Sequence, residues 1–350
     1  MKRLLAGFLL AAAVFASWIA WDLYRPYQGY TTSSLLEIEP GTSTLSLTDM
    51  LVSRGVLAHR VPFLLRCAIG RTRGRLKAGE YYFDHPLRPI DVYRMLRRGE
   101  VHLYQVLIPE GADRFAIARI LQARLGINPE DFLRSTEQAA LIHDLDARAP
   151  SLEGYLFPDS YRFPRRTTAA TAATTMVLHF RHVLQARFQN ELGSANLHDA
   201  VTLASLVEKE TADPAERPVV AEVFARRLEK GMSLQCDPTV IYAAELNHEP
   251  PGPITSADLN SPSPYNTYRH AGLPPGPIAN PGESALRAAF HPAAGDDLYF
   301  VSNNHGGHVF ARTLAEHQQN VARYRRELAA ERRKANQAAQ RIPKPGFPRS

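Results

Sequence analysis

Hydrophobic and polar positions along the chain begin with one long apolar run. Residues 4–21 are almost entirely apolar, and Lys2 and Arg3 precede them. These 18 residues would make about 27 Å of helix, close to the thickness of the hydrocarbon layer of a bilayer. Trp18 and Trp21 lie at the far end of the run, where interfacial aromatic residues are common. The pattern predicts a transmembrane helix.

A cleaved signal peptide is the alternative interpretation of this run. Its apolar region is usually shorter, about 7–15 residues, and a small-residue cleavage site follows it. Here the run ends in Ser-Trp-Ile-Ala-Trp-Asp, which matches that site poorly. We therefore predict a retained, single-pass anchor over residues 1–30. The positively charged start stays in the cytoplasm, so the rest of the chain would lie outside the cytoplasmic (inner) membrane.

Residues 31–110 read as a small α+β unit, because short alternating stretches are separated by helical ones. The predicted order of elements is strand, helix, helix, strand, helix, strand. We predict strands at 36–39, 80–83 and 101–108, and helices near 45–55, 61–69 and 91–98.

Residues 111–325 combine helices with a few strands. Helical periodicity dominates as far as residue 196, interrupted by an aromatic, turn-forming stretch at 151–163 that is either a packed loop or a functional one. Asp213-Pro-Ala-Glu216 predicts a capping box that starts a helix, and Asn280-Pro-Gly-Glu283 predicts a second one. A strand at 298–302 turns and returns at 308–310, and Thr313 caps a final helix. The whole chain is predicted to be α+β, with a basic tail at 326–350.

Composition changes the picture little. With 350 residues and 45% hydrophobic content, the chain is long enough for about two folded domains. The net charge of +6 resides in the stretch from Arg325 to Ser350, which holds eight basic and two acidic residues. The remaining chain is neutral, so we predict no nucleic-acid partner. The tail is either solvated or in contact with an anionic lipid or polymer.

One carboxylate stands out from the periodicity. Glu210 lies four residues after Leu206 and three after Val207, which places it on the apolar stripe of a helix. Glu208 and Lys209 point away from that stripe. A carboxyl group in apolar surroundings has a raised pKa and can protonate a leaving oxygen near neutral pH. Glu210 is therefore a candidate general acid, and an ordinary solvated glutamate is the alternative.

Other candidate chemistry is weaker. His305 and His308 are three residues apart, but zinc would need further ligands and no partner pair has suitable spacing. Ser205 lacks the G-x-S-x-G context of a serine hydrolase, and the sequence contains no Gly-rich phosphate loop. We predict neither a metal nor a cofactor.

Several motifs in fixed order resemble the YceG-like family of endolytic murein transglycosylases. They span roughly residues 30–325 and include Lys77-Ala-Gly-Glu-Tyr81, Glu153-Gly-Tyr-Leu-Phe-Pro-Asp159, Leu203-Ala-Ser-Leu-Val-Glu-Lys-Glu-Thr211, Leu234-Gln-Cys-Asp-Pro-Thr-Val-Ile-Tyr242, Tyr265-Asn-Thr-Tyr268, Gly272-Leu-Pro-Pro-Gly-Pro-Ile278 and Gly306-Gly-His308. Cys236 departs from the family pattern, in which Thr commonly stands between Gln and Asp.

The resemblance implies a membrane anchor (1–30), a LysM-like module (31–110) and a catalytic domain (111–325). It implies cleavage of the β-1,4 bond between N-acetylmuramic acid and N-acetylglucosamine, which leaves 1,6-anhydro ends and limits the length of nascent strands. The catalytic glutamate of the family falls on Glu210. The implied partners are peptidoglycan strands, the cytoplasmic membrane and membrane-bound peptidoglycan synthases.

The shared motifs also contain polar residues that we expect to bind sugar: Gln235, Asp237, Asn266, Tyr268 and His308. Each could instead be a helix cap, Asp237 above all because Pro238 follows it. Two other functions remain open. One is a muramidase in which a second carboxylate, Glu153 or Asp237, activates water. The other is a non-catalytic scaffold that binds peptidoglycan through residues 31–110.

Overall fold

The structure is a computed structural model that describes residues 1–70, 76–191, 196–249 and 252–340, with side chains as far as Arg333. Its helices are α1 (Lys2–Tyr24), α2 (Thr44–Ser53), α3 (Arg60–Ile69), α4 (Pro89–Arg98), α5 (Arg114–Leu125), α6 (Pro129–Glu137), α7 (Ala169–Arg187), α8 (Leu197–Glu210), α9 (Arg217–Glu229), α10 (Asp237–Leu246), α11 (Ser256–Leu259), α12 (Glu283–Phe290) and α13 (Leu314–Gln340). Its strands are β1 (Ser34–Ile38), β2 (Gly79–Phe83), β3 (Leu103–Leu107), β4 (Ser160–Pro164), β5 (Tyr299–Ser302) and β6 (His308–Ala311). The predicted α+β class is confirmed.

The apolar N-terminal run forms α1. Among the described residues, α1 is the one helix that is long and apolar enough to cross a membrane, with a mean hydropathy of 2.1. Most of its side chains are exposed, whereas Asp22 and Leu23 near its end are buried. The helix is therefore a candidate membrane span.

The chain divides into two units. The first comprises Met1–Val106 with two short segments, Arg124–Gly126 and Tyr161–Thr167, and the second comprises the remaining residues. In the first unit β1 pairs antiparallel with β2, and Leu36 lies opposite Tyr81. Inward-facing positions alternate along β1 because successive strand side chains point to opposite faces. These strands and α2–α4 enclose a core that includes Phe63 and Tyr93.

In the second unit α8 is the central helix. Residues 197–207 of α8 are buried except for Asp199, and α8 packs against α9, α10 and α12. Leu206 and Val207 join Phe224 of α9 in one hydrophobic cluster. Because the helix is enclosed up to this point, its C-terminal end is held firmly. The predicted turn after residue 302 is confirmed, and β5 pairs antiparallel with β6.

Two predicted capping boxes are wrong. Helix α9 begins at Arg217, four residues after Asp213, which closes a turn instead by accepting from the backbone N–H of Ala215. Helix α12 begins at Glu283 with Gly282 as its N-cap, while Asn280 is fully buried. Asp213 is thus used in a local turn, whereas tertiary contacts take the side chain of Asn280. The box at Thr313 does form, because Thr313 Oγ1 and Glu316 Oε2 each accept the other residue's backbone N–H.

The basic tail begins within α13, which continues as far as Gln340. Three of the basic residues that we assigned to the tail, Arg341, Lys344 and Arg349, lie outside the described residues.

Candidate active site

Glu210 is the last residue of α8. Its side chain is partly buried, whereas the neighbouring Lys209 is exposed, so the inward orientation predicted from the periodicity is found in the structure. The carbonyl groups at a helix C-terminus carry a partial negative charge. Glu210 therefore lies where a proton on its carboxyl group is favoured.

Cys236, which stood out in the sequence only as a departure from the family pattern, acts on Glu210. The cysteine is the N-cap of α10 and is 1% exposed. The buried Cys236 thiol lowers the pKa of Glu210, and the Glu210 carboxyl group in turn helps to raise the pKa of the thiol. Thr267 fixes the cysteine, since Thr267 Oγ1 accepts from the backbone N–H of Cys236 at 3.0 Å. The departure from the family pattern thus touches the predicted catalytic residue itself.

The surroundings of Glu210 favour its protonated form. Burial raises the pKa of Glu210, and the negative charge of Asp237 raises it further. The thiol of Cys236 and the positive charges of His308 and Arg227 act in the opposite direction, and the net pKa remains raised. A carboxyl group in this environment can hold a proton closer to neutral pH than a solvated one.

His308, on β6, is held by a second glutamate. Its Nδ1 lies 2.8 Å from Glu216 Oε2, and its backbone N–H donates to Glu216 Oε1 at 2.8 Å. Thr211 Oγ1 also donates to Glu216. Burial alone would raise the pKa of Glu216, but these hydrogen bonds outweigh burial and lower it. Glu216 was expected to cap a helix; the structure makes it the residue that orients the His308 ring.

Asp237 and Tyr268 form a pair beside Glu210. Asp237 is the first residue of α10 rather than its N-cap, and its Oδ1 accepts a hydrogen bond of 2.5 Å from the Tyr268 hydroxyl. Burial and this hydrogen bond raise the pKa of Tyr268. Asp237 is exposed and Tyr268 partly so, which leaves both accessible to a ligand.

The remaining two predicted sugar-binding residues have different surroundings. Gln235 is exposed and has a left-handed backbone, with φ of 53°. Asn266 is fully buried. Its amide donates to the carbonyl groups of Leu259 and Ser261, and its Oδ1 accepts from the backbone N–H of Tyr268. Asn266 therefore stabilises the loop that presents Tyr268, and its side chain does not face the surface.

Arg227 was not predicted as a site residue. It is 8% exposed, and its guanidinium donates to the carbonyl oxygens of Ser233, Leu234 and Leu298. These bonds fix the segment that leads into Gln235, and the arginine charge also acts on Glu210. In the sequence, Arg227 is followed by Leu228, and this Arg-Leu pair is a further match to the family pattern.

Two other carboxylates of the motifs lie in separate environments. Glu208, which the helical period placed away from the apolar stripe, is instead buried, because it pairs with Arg217, with 2.6 Å between Oε1 and Nη2. Glu153 lies in the 151–158 stretch, which is buried throughout, so that stretch is a packed loop. Burial raises the pKa of Glu153 to about 8. It accepts hydrogen bonds from the backbone of Arg114, the hydroxyl of Tyr242 and the amide of Asn280.

No group of three or more His, Cys, Asp or Glu residues in the described part of the chain has the geometry to hold a metal ion. His308, which we weighed as a ligand, faces Glu216. The acid-base groups around Glu210 are thus the chemistry that the described residues offer here.

Comparisons with known proteins agree with the motifs. The sequence profile of the YceG-like family matches residues 36–323. A Bacillus subtilis (strain 168) protein named endolytic murein transglycosylase is 30% identical over 310 residues, which cover 84% of this chain and 85% of that protein. A Streptococcus pneumoniae protein of the same name is 28% identical over 361 residues, which cover 91% of this chain and 65% of that protein.

A solved structure is also similar. The crystal structure of a YceG-like protein from Listeria monocytogenes aligns with a TM-score of 0.55 and 29% identity. The alignment covers 82% of this chain and 98% of that one. The likeness therefore extends over nearly the whole Listeria chain.

Proposed function

Because this chain belongs to the YceG-like family, we propose that it is an endolytic murein transglycosylase, a lyase that cuts the glycan strands of peptidoglycan. The relatives that carry this name in Bacillus subtilis and Streptococcus pneumoniae align over most of the chain. The single observation that carries the mechanism is Glu210, a partly buried carboxyl group with a raised pKa at the end of α8.

The proposed reaction needs one carboxyl group. Glu210 donates its proton to the oxygen of the bond between N-acetylmuramic acid and N-acetylglucosamine, and the bond from that oxygen to C1 breaks. The resulting carboxylate takes the proton from the 6-hydroxyl of the muramoyl residue, and O6 bonds to C1. The product is a 1,6-anhydro end, and no water is consumed. Most glycosidases instead use two carboxylates.

The position of the other carboxylates favours this single-acid scheme over a muramidase. Glu153 is sealed in the core and hydrogen-bonded on both oxygens. Asp237 already accepts from Tyr268 and raises the pKa of Glu210. We propose that Gln235, Asp237 and Tyr268 bind the sugars at the surface, that His308 lies at the reacting centre, and that Asn266 supports the loop.

The cellular setting completes the proposal. We infer that α1 anchors the chain in the cytoplasmic membrane with the catalytic domain outside it, and that residues 31–110 are a LysM-like module. Such an anchored lyase would act on nascent strands beside membrane-bound peptidoglycan synthases and limit strand length. The boundaries 31–110, 111–325 and 326–350 are part of this proposal.

Mass spectrometry of the products released from glycan strands tests the function. We expect anhydro muropeptides, one water lighter than hydrolytic ones, from the wild type and none from Glu210→Gln. Glu229→Gln is a matched control, because Glu229 is an exposed glutamate on α9 and the variant should retain full activity. Hydrated products would indicate the two-carboxylate muramidase. Strand binding without any product would indicate the scaffold.

A further inference from the structure

Helix α3 exposes an apolar stripe opposite its buried face. Phe63 and Cys67 point into the core of the first unit, and both are almost completely buried. Val61, Leu65 and Ile69, four residues apart, lie on the outside and are 44%, 37% and 78% exposed. A helix that is apolar on both faces is normally covered on both. We therefore expect another surface to cover the outer stripe of α3.

This stripe continues into a cleft. Leu45 of α2, itself 64% exposed, and Val61, Leu64, Leu65 and Ala68 of α3 line an open volume of about 680 Å³. Sugar and cofactor sites combine aromatic or apolar walls with a few placed polar groups. Of the residues lining this cleft, only Ser43 and Thr44 are polar apart from Cys67, and none is aromatic. The lining suits aliphatic chains better than sugar rings.

Two further observations identify what covers the stripe. First, α3 begins beside the candidate membrane span. Nδ1 of its N-cap residue, His59, lies 2.6 Å from Oδ1 of Asp22 on α1. The His59 ring also packs edge-on against Trp18, with the ring centroids 5.5 Å apart. Trp18 is where the interface of a bilayer spanned by residues 4–21 would lie. Helix α3 therefore starts at the depth of the lipid headgroups.

Second, the sequence segment that contains α3 carries basic residues and no acidic ones. From Arg54 to Lys77 the sequence contains Arg54, Arg60, Arg66, Arg71, Arg73, Arg75 and Lys77 and no acidic residue. Within the described residues Arg60 pairs with Asp49, while Arg54 is exposed. An apolar stripe flanked by basic residues is the pattern of helices that lie in the surface of an anionic membrane.

We propose that α3 is a second membrane contact, whose stripe of Val61, Leu65 and Ile69 enters the headgroup region of an anionic bilayer beside α1. This inference rests on the proposed anchor. Its consequence is that the first unit is held against the membrane by two contacts instead of swinging from one helix.

A fluorescence experiment on the full chain in vesicles tests the contact. An NBD probe is attached at Leu65→Cys, at Phe8→Cys within α1, and at the control Leu178→Cys, which replaces an apolar residue of α7 that is 59% exposed. The native Cys67 and Cys236 are buried, and unsubstituted protein measures any label they take. The vesicles contain phosphatidylglycerol, or phosphatidylcholine alone, with spin-labelled lipid as the quencher.

We expect the lipid quencher to act on the probes at residues 8 and 65 and not on that at 178. Quenching at residue 65 should be stronger with phosphatidylglycerol and should weaken in high salt. Arg54→Gln with Arg60→Gln should lower the docking equilibrium roughly fivefold per charge, with quenching at residue 8 unchanged.

Each other outcome overturns the inference in a recognisable way. Quenching at residue 8 but not at 65 would leave the anchor standing and refute the contact of α3. Loss of quenching at both positions would refute the anchor as well. A probe at residue 65 that is shielded from water but not quenched by lipid would mean that a second copy of the chain covers the stripe. Dilution would then expose the probe to water.

Discussion

Replacing Glu208 or Glu210, the two glutamates at the end of α8, by Gln should have different effects on the protein. Glu208 Oε1 lies 2.6 Å from Arg217 Nη2, and the two side chains are 4% and 5% exposed. The other carboxylate oxygen of Glu208 accepts from the backbone N–H of Gly282 at 2.9 Å. We expect Glu208→Gln to lower stability and Glu210→Gln to remove activity.

The size of the first effect follows from the pair. Removing one partner of a buried ion pair costs about 3–5 kcal/mol, because the other charge remains buried without compensation. Gln keeps the shape of the side chain. Glu110 Oε2 also lies 3.4 Å from Arg217 Nη2, as a second, half-exposed partner. We therefore expect a cost at the lower end of that range. A loss of about 3 kcal/mol in a unit of this size corresponds to a fall in Tm of roughly 6–12 °C.

Glu210 should behave in the opposite way. Burial raises the pKa of both glutamates, so the fold disfavours both charged forms. Of the two, only Glu208 has a buried ion-pair partner among the described residues, so Gln leaves a buried charge uncompensated at position 208 and removes a cost at position 210. We expect the Tm of the Glu210→Gln variant to stay within about 2 °C of the wild type or to rise. The rate of product release should fall at least about 100-fold.

Differential scanning calorimetry and product analysis on the same preparations measure both effects. The control is the double variant Glu208→Met, Arg217→Met, in which no charge is left alone. It should be more stable than Glu208→Gln, because replacing both partners of a buried pair is often nearly neutral. An unchanged Tm for Glu208→Gln, or an equal fall for Glu210→Gln, would show that the roles of the two glutamates are misassigned.

Three further predictions concern single residues of the second unit. Cys236→Ala removes a thiol that lowers the pKa of Glu210, so the alkaline limb of the pH–kcat/KM profile should move to higher pH; Cys236→Thr supplies a hydroxyl donor and should move the limb to lower pH, and limbs that coincide in both variants would refute the effect of residue 236 on Glu210. Glu216→Gln loosens His308, so kcat should fall about 10-fold at little change in KM, with partial recovery in Glu216→Asp; an unchanged kcat would assign the pair to structure alone. Glu153, with a folded pKa of about 8 against 4.5, favours folding when protonated, so its contribution is complete below about pH 4.5 and is lost as the pH rises through 8; Glu153→Gln should flatten the fall in Tm measured between pH 5 and pH 9, and an unaltered slope would contradict the raised pKa.

The sequence pattern predicted those features that depend on neighbours in the chain. The strands at 36–39 and 80–83 and the inward orientation of Glu210 follow from periods of two and 3.6 residues, and the structure has them within a residue or two. The box at Thr313 also formed, because its two partners are three residues apart.

The features that the pattern missed depend on partners far along the chain. Glu216 has the spacing of a capping residue, yet it bonds to His308, 92 positions away. Asn280 likewise has a cap-like context, but its amide and oxygen bond to residues 112, 153 and 156. Local sequence cannot rank such tertiary bonds against a cap, because both satisfy the same polar atoms. The sequence singled out Glu216 as a capping residue and His308 as a weak metal candidate and a motif residue, but nothing in it paired the two.

A single carboxyl group that acts first as an acid and then as a base needs surroundings that oppose each other. Burial, the end of α8 and the charge of Asp237 favour the proton on Glu210 before the bond breaks. The Cys236 thiol, His308 and Arg227 favour the carboxylate that remains afterwards. Neither set dominates completely, so the proton can leave for the glycosidic oxygen and a second one can be taken from the 6-hydroxyl. The proposed reaction does not need a second carboxylate. Glu153 and Glu208 are accordingly buried and bonded to other partners.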